Sequence, residues 1–235
     1  MKLIVKNLSK SYEKKDVLEN INFTFEEGKI YGLLGRNGSG KTTFFNCMNE
    51  DIDRNEGQFL LEEENKREKL ETKEIGYVVS TPTVPEFLTA REFLQFFLDI
   101  NEDRIKEKKS IEDYFDLVKI QKEDQDRLLK EYSHGMKNKM QILVNVIASP
   151  KVILLDEPLT SLDIVVQEDM KKLLKTLKKD HIIIFSTHIL ELAMDLCDEI
   201  VVLTNKHLEL VEKNHLNTKN YKEKIIKELR EETND

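Results

Sequence analysis

Gly35-Arg36-Asn37-Gly38-Ser39-Gly40-Lys41-Thr42 fits the pattern G-x-x-x-x-G-K-[ST], and its surroundings weigh as much as the match itself. The apolar run Ile30 to Leu34 leads into it, and Lys41 to Asn49 leaves it as a helix. Strand, glycine-rich loop and helix in that order let consecutive backbone N–H groups converge on phosphate oxygens. The helix N-terminus adds partial positive charge there. Lys41 supplies a point charge, the Thr42 hydroxyl suits a magnesium ion carried by the phosphates, and Thr43 joins the loop as a nucleotide-binding residue. A plain glycine turn with a capping threonine would need neither the strand before nor the helix after. The stretch therefore predicts a nucleotide phosphate site.

Upstream, short β-rich runs at Leu3 to Val5 and Ile21 to Phe25 are separated by charged turns. Downstream, Gly57 to Leu61 reads as strand, the charged run Glu62 to Lys69 as a solvated turn, and Ile75 to Val79 as a further strand. From Thr89 to about Ile120 the spacing of Phe93, Leu94, Phe97 and Leu98, then Ile111, Phe115 and Val118, is helical. After Pro150 strands and helices alternate: Val152 to Leu155, a helix to Lys179, Ile182 to Phe185, a helix to about Leu196, then Ile200 to Leu203. Such alternation predicts a parallel sheet.

With 235 residues, 39% hydrophobic and 35% charged, the chain has the composition of a folded protein. Its longest apolar runs are far shorter than the roughly 20 residues that span a bilayer. The start, with lysines interleaved among Leu3-Ile4-Val5, resembles neither a secretory nor a transit segment, so a cytoplasmic location is expected. Cys47 and Cys197 lack any metal-site or redox spacing and read as small buried hydrophobes. A net charge of −8 and a pI near 5.4 argue against direct nucleic-acid binding. The tail, residues 212–235, places Tyr221, Ile225 and Leu229 on one helical face that suits packing on the domain's own surface.

Two further elements bear on chemistry. Val152-Ile153-Leu154-Leu155 is a buried strand that ends in Asp156-Glu157, at the edge where open α/β sheets gather their ligands. Asp156 is placed to hold magnesium through water, and Glu157, pointing differently, to orient or deprotonate an attacking water. Ile182 to Phe185 ends in Ser186-Thr187-His188, which delivers an imidazole to the same edge.

With these three elements in this order, the chain resembles the ATP-binding cassette (ABC) ATPase domain, over about residues 2 to 211. Tyr132-Ser133-His134-Gly135-Met136 stands where that family's L-S-G-G-Q signature stands, Leu162-Asp163 matches the D-loop, and His188 matches the switch histidine. Tyr12, in Lys10-Ser11-Tyr12 ahead of the first lobe's strands, resembles the aromatic that stacks on adenine. The resemblance implies an α/β P-loop NTPase core with a mainly parallel sheet, an N-terminal antiparallel β lobe and an inserted helical lobe at about 86–149, together making a domain at 1–211. It also implies that ATP is the substrate and Mg2+ the cofactor, held by Thr42, Ser80 and Asp156. The implied partners are a second ATPase subunit, identical or not, and a transmembrane permease subunit that would hold the chain on the inner face of the membrane. Two cassettes would sandwich ATP head to tail, one phosphate loop facing the other subunit's signature.

Three departures stand out. His134 replaces a glycine where the backbone would approach phosphate, although Ser133 and Gly135 are retained as donors. Similar Y-S-H-G-M forms occur among export-type bacterial cassettes, so export is favoured by resemblance. Ser80 stands where the Q-loop glutamine is expected and has a shorter reach. Leu159-Thr160-Ser161 is looser than the usual T-S-A. The expected function is ATP hydrolysis that powers a separate membrane subunit. A soluble non-transport cassette in translation or DNA maintenance and a catalytically weak regulatory module remain as alternatives. Among Phe87, Phe93, Phe96 and Phe97, Phe87 lies outside the helical periodicity and is expected to be exposed, where related cassettes receive a short helix of the membrane subunit.

Overall fold

In the computed structural model, residues 1–13, 15–105, 108–159 and 162–211 are described. The tail helix face of Tyr221, Ile225 and Leu229 lies outside them, as do Thr160 and Ser161. β1 (Lys2–Tyr12) and β2 (Lys15–Glu26) form an antiparallel pair whose register irregularities past Val5 still deliver Leu8 to the core. Both strands extend well beyond the apolar runs that announce them. Tyr12 therefore closes β1 and does not precede the strands. β3 (Ile30–Leu34) is buried throughout and feeds the glycine loop, and α1 (Lys41–Met48) follows.

β4 (Glu56–Glu63) joins the other side of β1. The charged run Glu62 to Lys69, expected to be a solvated turn, is mostly strand. It turns at Glu64 and Asn65, with φ of 48° and 66°, and returns as β5 (Lys66–Lys69) against β4. Ladder hydrogen bonds and the Arg67–Glu62 pair hold this exposed edge, whose charges also discourage further strand pairing. Hydrophobic periodicity cannot reveal a strand with no buried residue.

β6 (Ile75–Val78) leads to the helical insert, in which α2 (Ala90–Ile100) and α3 (Ile111–Leu117) each begin with a capping box, at Thr89/Glu92 and Ser110/Asp113. α4 (His134–Ile147) returns the chain to the sheet. Then come β7 (Val152–Asp156), α5 (Ile164–Leu177), β8 (Ile182–Thr187), α6 (Leu190–Leu196), β9 (Glu199–Thr204) and β10 (His207–Val211).

The first sheet has the order β2-β1-β4-β5 and is antiparallel, while the second has the order β10-β9-β3-β8-β7-β6 and is parallel except for β10. Alternation along β7 and β8 sorts the side chains to two faces. Leu154 and Ile184 join Leu3, Phe25, Phe44 and Phe59 between the sheets. Ile153, Leu155, Ile183 and Phe185 meet Met170 and Leu174 of α5 and Ala193 of α6 on the other face. The insert has its own core of Leu94, Phe115, Val118, Leu129 and Met140. Cys47 and Cys197 are buried in the first two cores and form no disulfide, and burial pushes Cys47 up to about 11, so it stays a neutral packing group.

Candidate active site

Parallel pairing brings the ends of β3, β7 and β8 to one edge, with Leu34 level with Thr187 and Asp156 level with Ser186. The glycine loop, the two carboxylates and His188 therefore emerge side by side. The Gly35 N–H donates to Thr187 O at 3.3 Å, which ties the loop to β8. Within the loop the Ser39 N–H donates to Arg36 O, and Gly40 caps α1 with φ 107°. A side chain at Gly40 would meet Val17 Cγ1 at 2.8 Å, so close approach and backbone conformation both demand glycine.

Lys41 folds back along the loop, its ammonium donating to Gly35 O at 2.7 Å and Arg36 O at 3.0 Å. Burial lowers its pKa, opposed by the charges of Glu157 and Asp156. Thr42 Oγ1 donates to Asp156 Oδ2 at 2.8 Å. Glu157 Oε1 lies 2.9 Å from His188 Nδ1 and 3.7 Å from the Lys41 ammonium. An ionised carboxylate only accepts, so with Glu157 charged this hydrogen bond requires a proton on His188 Nδ1.

Lys41, Thr42, Asp156 and Glu157 border a cavity of about 400 Å³ that Tyr12, Asn37, Gly38, Gly40, Thr43 and Ser80 also line, whereas Gly35, Arg36, Ser39 and His188 are not among its lining residues. Lys15 and Val17 line it as well, and no motif in the sequence singles them out. Tyr12 is 45% exposed at the cavity rim with the Lys10 ammonium 4.8 Å from its ring centroid.

The stretch Tyr132 to Met136, expected to be the signature, is built elsewhere. Ser133 caps α4, its Oγ accepting the Met136 N–H at 3.2 Å. His134 is the first residue of that helix, exposed and without a left-handed backbone, so a side chain is accommodated there. A side chain at Gly135 would approach Leu162 Cδ2 to 3.1 Å, so Leu162 packs close against the start of α4 at this glycine. Asp163 caps α5 by accepting from Val165 and Val166 N–H, and the Gln167 amide donates to Leu159 O and Leu162 O. Asn138 of α4 donates to Pro158 O at 2.8 Å, a link from the signature helix to the strand end that sequence spacing does not announce. Ser133, His134, Gly135, Met136, Leu162 and Asp163 do not line the phosphate cavity.

A sequence profile of the family described as "ABC transporter" matches residues 18–160. The chain belongs to the ABC transporter family. It is 33% identical to the bacitracin transport ATP-binding protein BcrA of Bacillus licheniformis, over 94% of this chain and 74% of that protein. It is also 29% identical to the lantibiotic transport ATP-binding protein SrtF of Streptococcus pyogenes, over 84% of this chain and 85% of that one. The fold matches a solved ATP-binding subunit of an ABC transporter with a TM-score of 0.79 at 24% identity, covering 98% of this chain and all of that one. A dimeric ATP-binding cassette in a post-hydrolysis state with ADP and Pi matches with a TM-score of 0.73 at 22% identity, over 88% and 96%. This ABC ATPase is thus the ATP-binding subunit of a transporter. Among its described residues, no helix is long and apolar enough to cross a membrane.

Proposed function

We propose that this ABC ATPase hydrolyses ATP as one half of a dimer that drives an export permease from the cytoplasmic face of the membrane. The observation that carries the hydrolytic part is Glu157, held between His188 and Lys41 at the floor of the phosphate cavity. In this reading the N–H groups of Gly35 to Thr43 and the Lys41 ammonium hold the phosphates, and Tyr12 stacks on the adenine. Glu157 takes the proton of the attacking water as its oxygen bonds to the γ-phosphorus and the bridging P–O bond breaks. His188 Nδ1–H orients the Glu157 carboxylate.

Thr42, Ser80 and Asp156 offer two hydroxyls and one carboxylate at the cavity wall, a hard-oxygen set. No group of three or more His, Cys, Asp and Glu converges on a metal site among the described residues. That sparse set fits Mg2+, which keeps phosphate and water ligands of its own and supplies charge neutralisation at the phosphates.

Dimerisation is supported by the separation of signature and phosphate cavity on one chain. The N-terminus of α4, with the Ser133 hydroxyl and the Gly135 N–H, is an anion-binding end with no phosphate loop of its own. Ile164 and Val165, just after Asp163, are 78% and 70% exposed, as suits a face covered by a second subunit. Export is supported by the form of the signature and by the bacitracin and lantibiotic transport named for BcrA and SrtF. The test is Glu157→Gln in the full chain. Hydrolysis should fall on the order of 10²-fold or more while ATP binding is kept, and a dimer should accumulate with MgATP in light scattering. Hydrolysis at the parental rate would remove Glu157 from this role, and a monomer under saturating MgATP would count against the sandwich.

A further inference from the structure

β8 is apolar from Ile182 to Phe185 and then places Ser186 with no exposed surface at all. A hydroxyl at a fully buried strand position is tolerated only with partners. Ser186 has two. Its Oγ donates to Asp156 Oδ1 at 2.6 Å and accepts the Glu157 N–H at 3.0 Å. The direction is fixed, since the hydroxyl has one proton, the amide only donates and an ionised carboxylate only accepts. The parallel register that sets Asp156 level with Ser186 creates the contact. With Thr42 on the other oxygen, the Asp156 carboxylate is clamped from both sides.

Glu157 follows at φ 50°, in the left-handed region that a residue other than glycine occupies only when its surroundings hold it there. Its N–H has left the β ladder, and Ser186 takes it. The turn sends the Glu157 side chain back towards Lys41 and His188.

We propose that Ser186 is a positioning residue for ATP hydrolysis: one buried hydroxyl sets the Asp156 carboxylate and holds the backbone turn that aims Glu157. The inference rests on the roles proposed above for Asp156 and Glu157. Ser186 acts only through them, being shut off from the cavity. Its signature is a loss in turnover and in magnesium-dependent binding that spares metal-free nucleotide binding.

The test compares Ser186→Ala and Ser186→Thr with the parent, and Glu157→Gln with and without Ser186→Ala, in the full chain. It reads kcat, KM for ATP, and equilibrium binding of a fluorescent ATP in Mg2+ and in EDTA. Ser186→Ala should lower kcat about tenfold to a hundredfold, the size of a misplaced catalytic group, with KM raised no further than the dissociation constant measured in Mg2+. Its binding should weaken about threefold in Mg2+ and stay within about twofold in EDTA. Ser186→Thr, which keeps the hydroxyl, should restore most of the rate. In the Glu157→Gln background, Ser186→Ala should cost clearly less than it costs the parent, only the part that passes through Asp156 remaining. Should the alanine chain fail to fold, Ser186→Cys, close in size with a weakly bonding sulfur, carries the same expectation. An unchanged kcat, equal loss of binding in Mg2+ and EDTA, failure of a folded threonine variant, or full additivity with Glu157→Gln would each overturn the proposal. A parental rate in Glu157→Gln alone would strike the assignment of Glu157 instead.

Discussion

Lys41 is a cation only 6% exposed, drawn in by two loop carbonyls and countered by Glu157 at 3.7 Å. Burial works against its charge, so the site gains most from it when phosphates replace lost hydration. Lys41→Ala is expected to weaken ATP binding at least about tenfold, since a hydrogen bond to a charged group contributes about 1.5–3 kcal/mol. Equilibrium binding of ATP checks this, and unchanged affinity would remove Lys41 from phosphate recognition. Lys41, Asp156 and Glu157 stand out in the sequence as candidates because each sits at a strand-to-helix or strand-to-loop junction that residue types alone mark. Ser186 was visible only as the hydroxyl before Thr187-His188. Its partners follow from a strand register that no local spacing encodes.

At the scale of elements, α2 shows how a periodic pattern divides between core and surface. Leu94 is buried and Phe93 and Phe97 pack on the insert's core, while Phe96 stays 56% exposed. Phe87, before the helix, is 80% exposed, as its place outside the helical spacing predicted. An aromatic ring left in water contributes little to the isolated domain, yet aromatic anchors dominate helix-in-groove docking. Phe87→Ser is therefore expected to change the stability of the free subunit by less than about 0.5 kcal/mol. It should weaken retention by the membrane subunit at least about tenfold, as loss of an anchor does. Thermal melting and detergent co-purification read the two effects, and undiminished retention would place the docking contact elsewhere. The edge strand β5 marks the limit of periodicity. Its four exposed, charged residues look like a turn until a neighbouring strand supplies hydrogen bonds.

At the scale of the molecule, Ser80 lies where the sheet edge passes into the helical insert, lining the phosphate cavity from the side of β6. A glutamine there would reach further towards metal and water. Ser80→Gln is expected to raise ATP turnover severalfold or to sharpen its dependence on the membrane subunit, on the scale of a repositioned polar contact. Equal rates for parent and variant, with and without that subunit, would mean that a bridging water already spans the gap. The glycine loop, the acidic strand end and the alternation after Pro150 sufficed to specify a mainly parallel α/β sheet and to point to a candidate nucleotide site at its edge, because glycine tolerance, charge and hydrophobic period are local properties. Tertiary structure alone decided that the Ser186 hydroxyl meets both Asp156 and the Glu157 N–H, that Gly135 lies close to Leu162, and that Ser133 to Met136 stand apart from the cavity at the glycine loop. Those contacts join residues from about 27 to 30 positions apart, and only the packing of strands and helices brings such distant groups within hydrogen-bond or van der Waals reach.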